Sequence, residues 1–147
     1  MSFQPPSDYC LATQIRVRYS ETDQMGVVYN ANHLIWFEIA RTEYCRAQGL
    51  AYSLWEERSV FLPVSEAHCR YKRPARYDDR INLYCRIPIH EVKVQSVRFD
   101  YLISKVLDSG EEALLAEGWT KHGIVDSNGR LYRKNNPFPD WLLNLLG

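Results

Sequence analysis

Hydrophobic and polar positions alternate along "TQIRVRY", Thr13 to Tyr19, with Ile15, Val17 and Tyr19 set against Gln14, Arg16 and Arg18. That period of two predicts a half-buried strand. From Asn32 to about Gln48 the period lengthens: His33, Trp36, Phe37, Ala40, Tyr44 and Ala47 share one helical face, and Leu34, Ile35 and Ile39 widen it. Only Glu38, Arg41, Thr42 and Arg46 form a polar stripe, so the pattern predicts a helix buried on most of its circumference. Gly49 lies where a helix stop belongs. At 1.5 Å per residue such a helix is roughly 25 Å long, enough to cross a small domain.

The segments from Tyr52 onward can wrap this helix. A short helical turn near "YSLWEE" precedes "VSEAHCRYKR", where Ala67, Cys69 and Tyr71 alternate with Glu66, His68, Arg70 and Lys72 until Pro74 breaks the run. "INLYCRIPI" puts Ile81, Leu83, Cys85, Ile87 and Ile89 on one face, and "VRFDYLI" does the same with Val97, Phe99, Tyr101 and Ile103. A last strand is expected from Leu114 to Val125, between the turn signals "DSGEE" and "DSNG". The first dozen residues, with Pro5 and Pro6, read as flexible, and residues 137–147 as a short C-terminal helix. Strand, long buried helix, then four strands argue for an α+β domain in which one antiparallel sheet of five strands curls round one helix. Such a sheet leaves two edges exposed, and pairing with another copy of the chain is a common remedy. At least a homodimer is expected, with a homotetramer as the larger option.

Composition narrows the picture. A chain of 147 residues suits one domain with a sizeable core. Its 18 basic and 18 acidic residues cancel, so no overall field draws it to nucleic acid or to an anionic membrane. The N-terminus shows no secretory pattern and no stretch is apolar enough for a membrane span, which points to the cytoplasm. Cys10, Cys45, Cys69 and Cys85 are far apart without metal-ligand spacing, and His33, His68, His90 and His122 form no metal pair. No metal and no other cofactor are expected. Ten Tyr and four Trp imply a large core, an interface, or both.

One stretch carries candidate chemistry: "SETDQMGVVYNANHLIWFEIARTEY", Ser20 to Tyr44, sets Asp23 in a polar loop just ahead of the helix. An Asp there commonly forms a turn or caps the helix. Asn32 is better placed as the cap, which leaves Asp23 nine residues upstream without that task. The alternative is a reacting group. Helix-start N–H groups lack intrahelical partners and favour negative charge, so they could hold an oxyanion beside a carboxylate nucleophile or base. Gly26 would let the backbone approach closely.

The same stretch resembles the signature of the 4-hydroxybenzoyl-CoA thioesterase group of the hotdog superfamily, a T/C-D-x-x-G-(I/V)-V-(Y/F) loop leading into a helix with W-F-(D/E). "YKRPARYDDRI" is also similar to that family's second strand and turn. The resemblance implies the hotdog fold and hydrolysis of acyl-CoA thioesters to free acid and coenzyme A. It assigns Asp23 the role of nucleophile or general base and Asn30 the backbone N–H that polarises the carbonyl. Gly26, Tyr29, His33 and Glu38 become substrate-binding candidates, though Glu38 could equally pair with Arg41 or Thr42 on the helix surface. Lys93, Arg130 and Arg133 become candidates for holding coenzyme A, with Arg70, Lys72, Arg73 and Arg76 as a second basic cluster. Asn30 stands where small-acyl relatives carry His and the aryl-CoA enzyme carries Tyr, so the acyl group stays open. Two other readings remain: a hotdog domain that only binds acyl-CoA, and a hydratase or dehydratase, whose D-x-N-P-x-H pattern "DQMGVVYN" does not match.

Overall fold

The computed structural model describes residues 2–49, 52–93 and 95–132. In chain order it contains β1 (Cys10–Arg16), α1 (Ala31–Ala47), α2 (Tyr52–Glu57), β2 (Val64–Tyr71), β3 (Arg80–Arg86), β4 (Ser96–Val106) and β5 (Glu112–Gly123). All pairings are antiparallel, and the sheet order is β1-β3-β4-β5-β2. The sheet wraps α1, which is the hotdog architecture.

The inward register explains the core. Ile81, Leu83 and Cys85 on β3, then Val97, Phe99, Tyr101 and Ile103 on β4, are buried beside Trp36, Phe37 and Ala40 of α1. Fully burying a side chain such as Phe37 contributes roughly 2–3 kcal/mol. The Phe37 ring lies flat on Tyr101, with centroids 4.3 Å apart and planes 8° from parallel. Gly118 on β5 makes this approach possible, because a Cβ there would come within 2.8 Å of the Phe37 ring and 2.1 Å of the His68 carbonyl oxygen.

A buried polar chain runs beneath the helix. Arg41 Nη1 lies 3.5 Å from the Tyr101 hydroxyl, which is 2.5 Å from Thr120 Oγ1. Thr120 Oγ1 is 2.8 Å from His122 Nε2, and His122 Nδ1 is 2.9 Å from the Leu62 carbonyl oxygen. Only a donor can face that carbonyl, so Nδ1 carries the proton and Nε2 accepts from Thr120. Thr120 then accepts from Tyr101, and Tyr101 accepts from Arg41. Burial pushes the His122 imidazole down to about 4, so the ring is neutral near pH 7.

Several boundaries differ from the alternation. Strand β1 starts at Cys10 and ends at Arg16, because Val17 turns to bond Asp79 and the chain curls into a 3₁₀ turn at Tyr19–Glu21. The segment before β1, expected to be flexible, is tied to the sheet. Phe3 N–H donates to Glu112 C=O at 2.8 Å, and Asp8 meets Arg86 at 2.7 Å. Strand β3 stops before Pro88, so Ile87 and Ile89 lie beyond it. Helix α1 begins directly after Asn30, which makes no side-chain cap bond, and the expected cap Asn32 lies inside the first turn with its side chain donating to the Glu21 carbonyl at 2.9 Å. Its apolar circumference is also less buried than expected, since Leu34 is 42% and Ile35 49% exposed. The expected helix at 137–147 lies outside the described residues.

Candidate active site

The loop between β1 and α1 is folded by its own backbone. Asp23 N–H donates to Val27 C=O at 2.9 Å, and Gly26 N–H donates to Asp23 C=O at 3.0 Å. Gly26 adopts φ +78°, which glycine reaches without steric cost. Asp23 Oδ1 accepts the Met25 N–H at 2.9 Å. Its other oxygen makes no hydrogen bond within the described residues. The turn role and the reactive role are therefore compatible, each using one oxygen.

Asp23 lines a cleft of about 450 Å³ together with Tyr29, Asn30, His33, Tyr71 and Arg73. Sheet and helix meet there around one peptide carbonyl. Asn30 C=O accepts from Tyr71 Oη at 2.9 Å, from His33 Nδ1 at 3.2 Å and from the His33 N–H at 3.2 Å. The His33 ring packs edge-on against Tyr71, with centroids 4.8 Å apart. Burial lowers the His33 pKa while its bond to Asn30 opposes that shift. Burial pushes the Tyr71 hydroxyl up to about 12, so it stays a donor.

The N–H groups of Asn30 and Ala31 have no hydrogen-bond partner among the described residues. Each belongs to a peptide unit whose carbonyl is occupied: Tyr29 C=O accepts from Asn32 N–H at 2.9 Å, and Asn30 C=O accepts the three donors from His33 and Tyr71. A carbonyl bonded in this way polarises its peptide and strengthens the N–H as a donor. The arrangement can stabilise negative charge on an oxygen placed in the cleft.

The other sequence candidates fall in different places. Glu38 is exposed on α1, does not line the cleft and makes no ion pair with a described residue; the pair found on this helix is Glu43 with Arg46 at 3.4 Å. Lys93 lies before β4 and Arg130 in the turn after β5. Ser96 at the start of β4 pairs with Gly123, whereas Tyr71 connects through Ala116 to Ile103, so these two cations sit roughly 20 Å along the strands from the Asp23 end. Arg133 lies outside the described residues. From the second basic cluster, Lys72 and Arg73 line the cleft, and Lys72 also meets Glu117 at 3.5 Å.

Two residues of the site escape the sequence reasoning. Alternation presents Tyr71 only as an inward apolar position, and nothing local marks its hydroxyl. Glu21 is 6% exposed; its Oε2 accepts Trp36 Nε1–H at 2.9 Å and its Oε1 accepts the Arg18 N–H at 2.8 Å. No local signal marks it: the strand ends at Arg16, and Tyr19, the odd position between Val17 and Glu21, is exposed.

Known proteins resemble this chain at both the sequence and structural levels. YneP of Bacillus subtilis is 46% identical over 66 residues, a match that spans about half of each chain, 45% of this one and 48% of the relative. The acyl-CoA thioesterase YbgC of Haemophilus influenzae is 37% identical over 113 residues, covering 76% of this chain and 78% of its own. Among solved structures, a DHNA-CoA thioesterase from Staphylococcus aureus superposes with a TM-score of 0.76 at 28% identity, over 89% of this chain and 85% of that one. Residues 17–146 match the family model described as the thioesterase-like superfamily, and the chain belongs to that superfamily.

Proposed function

We propose that this protein hydrolyses acyl-CoA thioesters to a free carboxylic acid and coenzyme A. The observation that carries the reading is one cleft lined by both Asp23, with one carboxylate oxygen unengaged among the described residues, and Asn30, whose N–H has no partner among them. In the first route Asp23 attacks the thioester carbon, the Asn30 N–H receives the developing oxyanion, and the C–S bond breaks to release the thiolate. Water then cleaves the Asp23–acyl anhydride. In the second route Asp23 takes a proton from water, and the hydroxide attacks the same carbon. A thiolate leaves readily, so neither route needs a dedicated general acid. Quenching with borohydride during turnover separates them. An anhydride at Asp23 forms only in the first route and is reduced to homoserine, which peptide mass spectrometry detects at position 23.

Tyr29 and His33 form the wall against which the acyl group rests, and Gly26 keeps the loop low at the mouth. Glu38 would reach substrate only where a second copy brings it to the cleft. Lys93, Arg130 and Arg133 are assigned to the coenzyme phosphates on the same footing, since Lys93 and Arg130 lie far from Asp23 within one chain. Self-association is supported by the two sheet edges, β1 and β2, and by the exposed apolar surface of Met25, Tyr29, Leu34 and Ile35. Among the described residues no helix is long and apolar enough to cross a membrane. The cysteines Cys10, Cys45, Cys69 and Cys85 all stand free, which suits a reducing compartment such as the cytoplasm.

Release of thiol from a panel of short, long and aromatic acyl-CoAs is the test. Asp23→Asn is expected to lower kcat by about a hundredfold or more, with the fold intact by circular dichroism. Absence of turnover on every substrate would sink the hydrolase reading and leave a binding domain, while an active Asp23→Asn would remove Asp23 from the chemistry. Sedimentation velocity should report a dimer or tetramer, and a strict monomer contradicts the edge argument.

A further inference from the structure

Glu21 is engaged through both its side chain and its backbone. Its carbonyl accepts the Tyr29 N–H at 2.9 Å and the Asn32 Nδ2–H at 2.9 Å. Its carboxylate accepts the Trp36 indole N–H and the Arg18 backbone N–H, and Arg18 Nε lies 3.6 Å from Oε1. Within one residue, then, the entry to the Asp23 loop (Arg18), its exit (Tyr29) and the first two turns of α1 (Asn32 and Trp36) are joined. The bridge between Thr22 and Val28 closes the same loop one step further in.

A buried carboxylate is a poor way to gain stability, since an apolar side chain of similar volume fills the site without the cost of removing a charge from water. What two fixed acceptor oxygens supply is geometry. Asp23 stands two residues after Glu21 and Asn30 one residue after Tyr29, so the clamp sets the spacing between the carboxylate and the helix-start donors. Errors of about 1 Å in such spacing can cost a hundredfold in rate.

We propose that Glu21 is a positioning residue for thioester hydrolysis, holding Asp23 and the Asn30 N–H at reacting distance through Trp36 and Tyr29. This rests on the assignment of Asp23 as the reacting group. Both side-chain partners are N–H donors, so Glu21→Gln keeps the shape but turns an amide NH₂ against one of them.

The test compares wild type, Glu21→Gln, Trp36→Phe and the double variant, using the acyl-CoA of the panel that wild type hydrolyses fastest. Glu21→Gln is expected to lower kcat at least tenfold with KM within twofold, and to shift the Trp36 indole N–H resonance in a ¹⁵N correlation spectrum. A purely structural role would lower the melting temperature and leave kcat per folded molecule unchanged. Trp36→Phe removes the indole bond to the Glu21 carboxylate without touching the loop and leaves the Asn32 bond to the Glu21 carbonyl in place. It is itself expected to lower kcat severalfold, which keeps the question answerable if Glu21→Gln does not fold. In the Trp36→Phe background, Glu21→Gln is expected to cost less than it does alone, because the two act on one bond. A folded Glu21→Gln with a shifted indole resonance and wild-type kcat, while Asp23→Asn is inactive, overturns the positioning role and spares the mechanism. An active Asp23→Asn overturns the mechanism itself, and the positioning role with it.

Discussion

Tyr71 shows how one hydroxyl on a strand can reach a helix terminus. Its bond to the Asn30 carbonyl orients the peptide whose N–H belongs to Ala31. Tyr71→Phe removes that donor but leaves the His33 ring and backbone bonds, so the carbonyl stays partly satisfied. A loss of about 1 kcal/mol in transition-state stabilisation, or roughly fivefold in kcat, is expected from initial-rate kinetics. Asp23 is legible in the sequence because its loop has a recognisable spacing. Tyr71 and Glu21 are not, because their partners lie 41 and 15 residues away and no local pattern encodes such a pairing.

Elements are legible where apolar residues mark the face that meets the core. The inward series on β3 and β4 holds from Ile81 to Ile103 beside the helix, and the opposite face, with Asn82, Tyr84, Asp100, Leu102 and Ser104, is buried as well. Strand β2 alternates equally well in sequence, yet nearly all its residues are exposed, since it pairs only with β5 at the sheet edge. Alternation reports which side chains could be buried, and the neighbouring layer decides which are. Helix α1 illustrates the same point at Leu34 and Ile35, apolar positions that no described residue covers. Its contact with β5 is decided at Gly118, which no period reveals. Gly118→Ala must push Phe37 off the Tyr101 ring or move the His68 carbonyl. Overpacking of this kind costs about 1–3 kcal/mol, and more where the backbone must yield, so thermal unfolding should show a melting temperature several degrees lower.

For the molecule as a whole, the neutral core histidine sets an acid limit. His122 is fully buried with a pKa near 4 in the fold, against about 6.5 in the unfolded chain. Between those values the unfolded chain binds a proton that the folded one does not. Stability from this group is therefore complete above pH 6.5 and drains as pH falls toward 4, by at most about 3 kcal/mol. Urea unfolding at a series of pH values should show that decline, and His122→Gln should flatten it. Glu112 adds to the acid sensitivity: burial opposes its charge, but hydrogen bonds from Ser104, Tyr84 and Asn82 hold its carboxyl below the ordinary range.

The chain from Arg41 to Leu62 also determines what substitutions the core can tolerate. Thr120 must accept from Tyr101 and donate to His122 at once, and only a hydroxyl does both in that space. Val matches Thr in shape but strands two buried partners, whereas Ser matches in chemistry and leaves a small void. Thr120→Ser should lower stability by about 1 kcal/mol and Thr120→Val by several, read from denaturant midpoints. If all residues were sampled at position 120 and sorted for folded protein, serine and threonine should dominate the survivors. Shape would be negotiable there, and the order in which hydrogens are handed along would not.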